Sequence, residues 1–219
     1  LVGDSLGSVL YNYKSTRQVS LDIMIEHSKS VRLGVKESLM VVDMPYNTYR
    51  NSKEAFKNAK KIMSKTKCDA LKLEGGKKIY EIIKHLVKNN ISVMGHLGLL
   101  PQSAKNFKFK GKQNYEREKI LKEAKLLETA GVFSMVLECI ESSLAKNITK
   151  AIKIPTIGIG ASNNCDGQIL VFDDVIGLNP INVRFVKKYT NIRKDISKAV
   201  LNYAREVRSM KFPLKKHSY

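Results

Sequence analysis

Five titratable side chains stand at the ends of short apolar runs, and their types suit acid–base and metal-assisted chemistry. LMVVD runs into Asp43, DALKLE into Glu74, ISVMGH into His96 and SMVLE into Glu138, while the chain opens on LVGD with Asp4. The stretch DALKLEGGK adds a cation, Lys72, two residues before Glu74. Side chains alternate along a strand, so Lys72 and Glu74 share one face and Leu71 and Leu73 take the other. A cation and an anion therefore meet at one mouth. Polar residues at the C-terminal ends of successive buried strands are how a β/α barrel builds an active site.

Asp4, Asp43 and Glu74 would end neighbouring parallel strands. Short, rigid oxygen ligands of this kind suit Mg²⁺, which keeps water or substrate oxygens at its other positions. Each alone could instead cap a helix or pair with a loop cation. Lys72 lies inside an apolar strand and must be paired or solvated. It reads as a cation for a substrate carboxylate, as a Schiff-base amine, or as a structural partner of Glu74. Glu138 is expected across the cavity from the metal ligands, as a base for a proton beside a metal-polarised carbonyl or as a cap for the following helix. His96 could donate to a substrate oxygen or serve as a structural hydrogen-bonding group. Gly158 and Gly160 do not form a dinucleotide fingerprint, and Gly75 and Gly76 signal close backbone approach rather than a phosphate loop.

The elements that must position these groups alternate along the chain. Strands are expected at Leu1–Asp4, Leu39–Asp43, Asp69–Leu73, from Ile91, at Val132–Glu138, at Pro155–Gly160 and at Ile169–Ile176. A helix covers Val19–Leu33 with Val19, Ile23, His27 and Val31 in one stripe and Gly34 at its end. Asn51 and Glu54 cap the next, which buries Ala55, Phe56, Ala59, Ile62 and Met63. Ile79, Ile82, Ile83, Leu86 and Val87 stripe a third. Residues 96–115 read as a long functional connection, followed by a helix through Ile120, Leu121, Ala124 and Leu127 and then Gly131 as its cap. Ile192, Ile196, Ala199, Tyr203 and Val207 predict a packed terminal helix. Seven strands and their helices point to a single-domain, TIM-type (β/α)8 barrel over residues 1–219, with the eighth strand and its helix expected upstream of the abrupt start.

The 219 residues carry a formal net charge of +19, which raises the question of nucleic acid. The lysines are scattered over helical segments, and the densest aromatic–basic interleaving, FKFKGK at 107–112, is read as a loop rather than a stacking platform. A positive field equally attracts 2-oxo acids and acidic cofactors. Cys68, Cys139 and Cys165 lie far apart and suggest neither a zinc site nor a disulfide framework. No apolar run is long enough for a membrane helix, so a cytoplasmic enzyme is expected, without nucleic acid or membrane as partner.

The ordered stretches LVGDSLG, VVDMPY, LKLEGG, MGHLGLLPQS, LECI, IPTIGIGASNNCDGQILVFDD and the terminal HSY resemble the 3-methyl-2-oxobutanoate hydroxymethyltransferase (ketopantoate hydroxymethyltransferase) family. The resemblance implies a Mg²⁺-dependent β/α barrel of pantothenate biosynthesis, assembled as a homo-oligomer, characteristically a decamer. It implies transfer of a one-carbon unit from 5,10-methylenetetrahydrofolate to 3-methyl-2-oxobutanoate, with 2-dehydropantoate as product. Asp4 and Asp43 would then hold Mg²⁺ with Glu74 beside them, Ser5 and Lys72 would bind the 2-oxo acid, His96 would orient it, and Glu138 would be the base that gives a metal-stabilised enolate. The sequence departs from the family in lacking an upstream TAYD motif, in the residues before FKFKGK, and in GLNPINVRFVKKY, where Asn182 and Arg184 stand. The alternatives are a Schiff-base aldolase using Lys72 and an inactive barrel retained as an interaction subunit.

Overall fold

The computed structural model describes residues 1–104 and 108–219; Phe107, the first residue of FKFKGK, lies outside the described residues. Residue contacts divide the chain into two compact units, Leu1–Ile169 and Leu170–Tyr219, where the sequence reading placed all of it in one barrel domain.

In the first unit, β1 (Val41–Asp43), β2 (Ala70–Glu74), β3 (Val93–Gly98), β4 (Ser134–Glu138), β5 (Thr156–Ile159) and β6 (Gly167–Gln168) form one sheet in sequence order. Every pairing is parallel, and the described strands make a half-barrel. The unit's helices are α1 (Leu6–Leu10), α2 (Leu21–Gly34), α3 (Ser52–Thr66), α4 (Tyr80–Lys88), α5 (Asn114–Ala130) and α6 (Ser142–Ala151). Parallel strands need crossovers, and α3 to α6 supply them, covering one face of the sheet.

Alternation sorts the strand residues. Val42, Leu71, Leu73, Val93, Leu97, Met135 and Leu137 pack with helix residues such as Ala59, Ile62, Ile83, Leu127 and Ile148 in the main core. Val41, Ala70, Met94 and Val136 form a separate cluster with Ile157 and Ile159. The residues two further along β1 to β4 from this second cluster are Asp43, Lys72, His96 and Glu138, so a short apolar floor supports a polar rim.

Local signals hold where they rest on caps. The Asn51 side chain accepts from the Glu54 N–H at 2.9 Å and starts α3, and Gly131 ends α5 in the left-handed conformation at φ 93°. Three expectations are corrected. Leu1–Asp4 pairs only as an isolated bridge, Val2 with Val42. In α2 the buried residues are Met24, Ile25 and Ser28; of the expected stripe Val19 is buried just ahead of the helix and Ile23 packs against the core, whereas Val31 is exposed and the His27 ring bonds the Tyr11 hydroxyl at 2.7 Å. Ile169–Ile176 is not a strand: the ladder to β5 ends with the Ile169 N–H bonding Gly158 O.

In the second unit, Asp174 and Val175 turn back to Val171 O, and Phe172–Val175 becomes α7. A β-rich run without a further strand to pair with satisfies its backbone locally. α8 (Ile192–Arg208) forms as expected, with Asn191 capping Lys194, but none of its residues is buried. Its packing expectation therefore fails: Ile196, Val200, Leu201, Tyr203 and Val207 are all exposed. Among the described residues no helix is long and apolar enough to cross a membrane.

Candidate active site

Strand alternation and register bring the rim together. Asp43 pairs with Lys72, Glu74 with His96, and Gly98 with Glu138. Lys72 Nζ lies 3.1 Å from Asp43 Oδ1 and 3.2 Å from His96 Nδ1. His96 Nε2 lies 3.3 Å from Glu138 Oε2. A run of polar contacts thus crosses four adjacent strands. Glu138 is two strands from Lys72 with one histidine between them, and three strands from Asp43 along the half-barrel. Gly98 lets β3 and β4 close up at the rim: with φ 101°, a Cβ there would stand 2.2 Å from the main-chain oxygen of Glu138, which accepts the Leu99 N–H.

Lys72 is buried, and burial alone would lower its pKa, but Asp43, Glu74 and Asp4 together push it well above the ordinary lysine value. It stays an ammonium, which disfavours the free amine a Schiff base requires. Its close ionic partner is Asp43; Glu74 acts on it through the field rather than as the structural pair considered from sequence.

An ammonium has donors only, so His96 Nδ1 facing it must carry the lone pair and the proton belongs on Nε2. Burial, and then the charge of Lys72, lower the His96 pKa to about 4, which keeps the ring neutral near pH 7. Glu74 Oε1 at 3.7 Å is too far to hydrogen-bond that ring. Among the described residues the Nε2–H has no well-aligned acceptor despite the nearness of Glu138, and it is left able to donate to a substrate oxygen. Burial raises Glu138 to about 7, with Lys72 opposing and Asp43 adding to the shift. A carboxyl poised there exchanges protons at neutral pH.

Asp4 follows the Val2 bridge, and its N–H donates to Asp43 Oδ2 at 3.0 Å. Burial, then Asp43, raise the Asp4 carboxyl to about 7; burial likewise raises Glu74 to about 7 against the pull of His96 and Lys72. Ser5 stands half-buried at the start of α1 without a side-chain capping bond. No set of three His, Cys, Asp or Glu side chains forms a ready metal cage among the described residues. The two aspartates nevertheless fit Mg²⁺, which is often held by one or two carboxylates with water and substrate oxygens completing the shell. Asp43 Oδ1 is buried and faces the Lys72 ammonium at 3.1 Å without a well-aligned hydrogen bond among the described residues, so one lysine charge stands beside the two aspartates and leaves them able to take a divalent ion.

Sequence reasoning missed Gln102, Tyr49 and Arg17. Gln102 is buried in the connection after β3 and donates to both Asp4 and Glu74. Tyr49 and Arg17 in turn bond Gln102. The one available signal was an amide directly after Pro101 in a loop otherwise opening with LGLL. Beside this loop lie two hollows. One of about 490 Å³ is lined by Gly98, Lys108, Lys110, Lys119 and Glu123 among others; the other, of about 350 Å³, reaches Tyr49, Glu74 and Gln102. Lys110 of FKFKGK is tied down by a bridge to Ile140, beyond the end of β4.

Comparison with known proteins places this arrangement. The chain is 72% identical over its full length to 3-methyl-2-oxobutanoate hydroxymethyltransferase of Pelagibacter ubique, covering 85% of that protein. It is 48% identical to the enzyme of the same name from Rhizobium etli, covering 82% of it and again all of this chain. Among solved structures, phosphonopyruvate hydrolase superposes with a TM-score of 0.58 at 12% identity, over 98% of this chain and 79% of the other. A 2,3-dimethylmalate lyase described as a PEP mutase/isocitrate lyase superfamily member gives 0.52 at 12% identity, over 72% and 56%. At such identities the likeness concerns the fold alone, a TIM-like α/β arrangement. A sequence model described as Ketopantoate hydroxymethyltransferase matches residues 1–215, and with these relatives it establishes that the chain belongs to the ketopantoate hydroxymethyltransferase family.

Proposed function

We propose that this chain is a cytoplasmic transferase of pantothenate biosynthesis that moves a hydroxymethyl group from 5,10-methylenetetrahydrofolate to 3-methyl-2-oxobutanoate, giving 2-dehydropantoate. The observation that carries the reading is the run Asp43, Lys72, His96, Glu138 across four neighbouring strands. It sets a fixed cation and a proton acceptor on either side of a neutral imidazole. Relatives bearing the enzyme's name over the whole chain support the same activity.

Lys72 and Ser5 bind the carboxylate end of the 2-oxo acid. His96 donates its Nε2–H to a substrate oxygen and fixes the orientation. Glu138 takes the proton from C3, and the electron pair left on carbon forms a bond to the methylene carbon of the folate as one of its two C–N bonds breaks; a water then supplies the hydroxyl as the second C–N bond breaks and tetrahydrofolate leaves with the proton. Asp4 and Asp43 would hold Mg²⁺, with Glu74 beside them; when bound, the ion supplies Lewis acidity to the substrate's oxygens. Enclosure of the rim by the apolar floor strengthens each of these electrostatic contacts, because fewer waters screen them.

We further read the half-barrel as part of a (β/α)8 barrel and the working enzyme as a homo-oligomer, decameric as in the family it resembles. The apolar side chains exposed on α8 support assembly, since a second copy would remove them from water. Product formation should require the 2-oxo acid, methylenetetrahydrofolate and a divalent metal together. Undiminished turnover after exhaustive chelation would remove the metal from the scheme; no product with all three present would remove the transferase reading.

A further inference from the structure

Gln102 makes contacts that no metal ligand or substrate contact explains. Its peptide N–H donates to Glu74 Oε2 at 3.0 Å, and its side-chain amide donates to Asp4 Oδ2 at 2.8 Å and to Met44 O at 3.0 Å. Its Oε1 accepts the Tyr49 hydroxyl, and its backbone carbonyl accepts Arg17 Nε at 2.7 Å. Both amide protons and the amide oxygen are therefore used, and the side chain is buried. The Tyr49 hydroxyl also reaches toward Glu74 O at 3.4 Å.

This pattern allows only one orientation of the amide. A flipped group would turn its oxygen toward Met44 O and the Asp4 carboxylate, and would leave the Tyr49 proton only the longer contact to Glu74 O at 3.4 Å. Asp4 is thus held through one oxygen by a neutral donor, while its own N–H holds Asp43 Oδ2. A lysine or arginine at this place would hold the carboxylate equally well, but its charge would oppose a divalent cation. An amide orients the carboxylate without that opposition.

We infer that Gln102, locked by Tyr49, is a positioning residue that presents Asp4 and Glu74 to a divalent cation. The inference rests on the reading that Asp4 and Asp43 hold that ion. Hydrogen-bonding partners of metal-binding groups typically cost about 10- to 100-fold in metal affinity when lost.

Gln102→Met is the decisive variant, because it keeps the length and the neutral charge and removes the donors and the acceptor. Calorimetric titration of Mg²⁺ into the substrate-free protein should show affinity weakened by about 10- to 100-fold. Turnover should recover toward the parent value as Mg²⁺ is raised, a response that mere loss of structure does not produce. Tyr49→Phe leaves the amide but removes its lock, and should weaken Mg²⁺ in the same direction by less than the loss of the amide itself. It decides the matter should Gln102→Met fail to fold. Parent-like Mg²⁺ affinity in the variants, whatever happens to their melting temperature, overturns the role of Gln102 alone. Absence of Mg²⁺ binding by the parent protein overturns the metal reading, and this role with it.

Discussion

Replacing Glu138 by glutamine separates the base from everything else at the rim. The side chain keeps its size beside His96 Nε2, at 3.3 Å in the parent, and loses only the ability to accept the proton. Loss of a well-placed general base costs ~10²- to 10⁴-fold in rate, or about 3 to 5 kcal/mol of barrier. The assay is exchange of the C3 proton of 3-methyl-2-oxobutanoate with deuterated water in the absence of folate, a half-reaction that needs no one-carbon donor. Stability should move the other way. The folded carboxyl is raised from 4.5 to about 7, so the folded state holds its proton more tightly, and stability is lost as pH rises through that window. At pH 8 the parent then carries an ionisation cost of roughly 3 kcal/mol, from 1.36 kcal/mol per pKa unit. The metal-free Glu138→Gln protein should escape that cost and melt higher than the parent at pH 8, with the difference fading toward pH 4. Near-normal exchange would show that another group takes the proton. A variant that melts lower at pH 8 would refute the buried, proton-holding environment from which the role was argued.

Lys72→Met should destabilise the fold by about 3 to 5 kcal/mol, measured by denaturant unfolding, because Asp43 is left buried beside Asp4 without its cation. Borohydride treatment of the parent under turnover should trap no adduct on Lys72; an adduct would revive the Schiff-base alternative. Gly98→Ala should cost more than about 2 kcal/mol and lower exchange activity as well, since its Cβ would strike Glu138 O at a backbone φ of 101°. Glu141, whose carboxylate accepts from Ser143 Oγ, Arg117 and the N–H groups of Ser143 and Leu144, is lowered to about 2 chiefly by the Ser143 and Arg117 bonds. The capping stability it gives α6 should be complete above pH 4.5 and be lost as pH falls toward 2, and Glu141→Ala should remove ~1 kcal/mol of it at pH 7.

Much of the rim was legible because it follows from a local rule. Alternation puts Lys72 and Glu74 on one face whatever the rest of the chain does, and a polar residue closing a buried apolar run marks the strand end, as at Asp43, His96 and Glu138. Caps were equally readable, since Asn51 and Gly131 act on backbone groups within a few residues. Phase and pairing were not. The α2 sequence has apolar residues on either side of Ser28, and only packing against α3 and β1 selected Met24 and Ile25 for full burial. Ile169–Ile176 has the composition of a strand, but a strand needs a neighbour, and the ladder ends at Ile169. The tie between His96 and Glu138 depended on the register of β3 against β4. Gln102 was hidden for the strongest reason: its partners Asp4, Arg17, Met44, Tyr49 and Glu74 come from separate segments. No periodicity within one segment records such a convergence. Local sequence determined which side chains each strand offers, whereas tertiary folding decided which of them share a proton, an ion pair or a hydrogen bond.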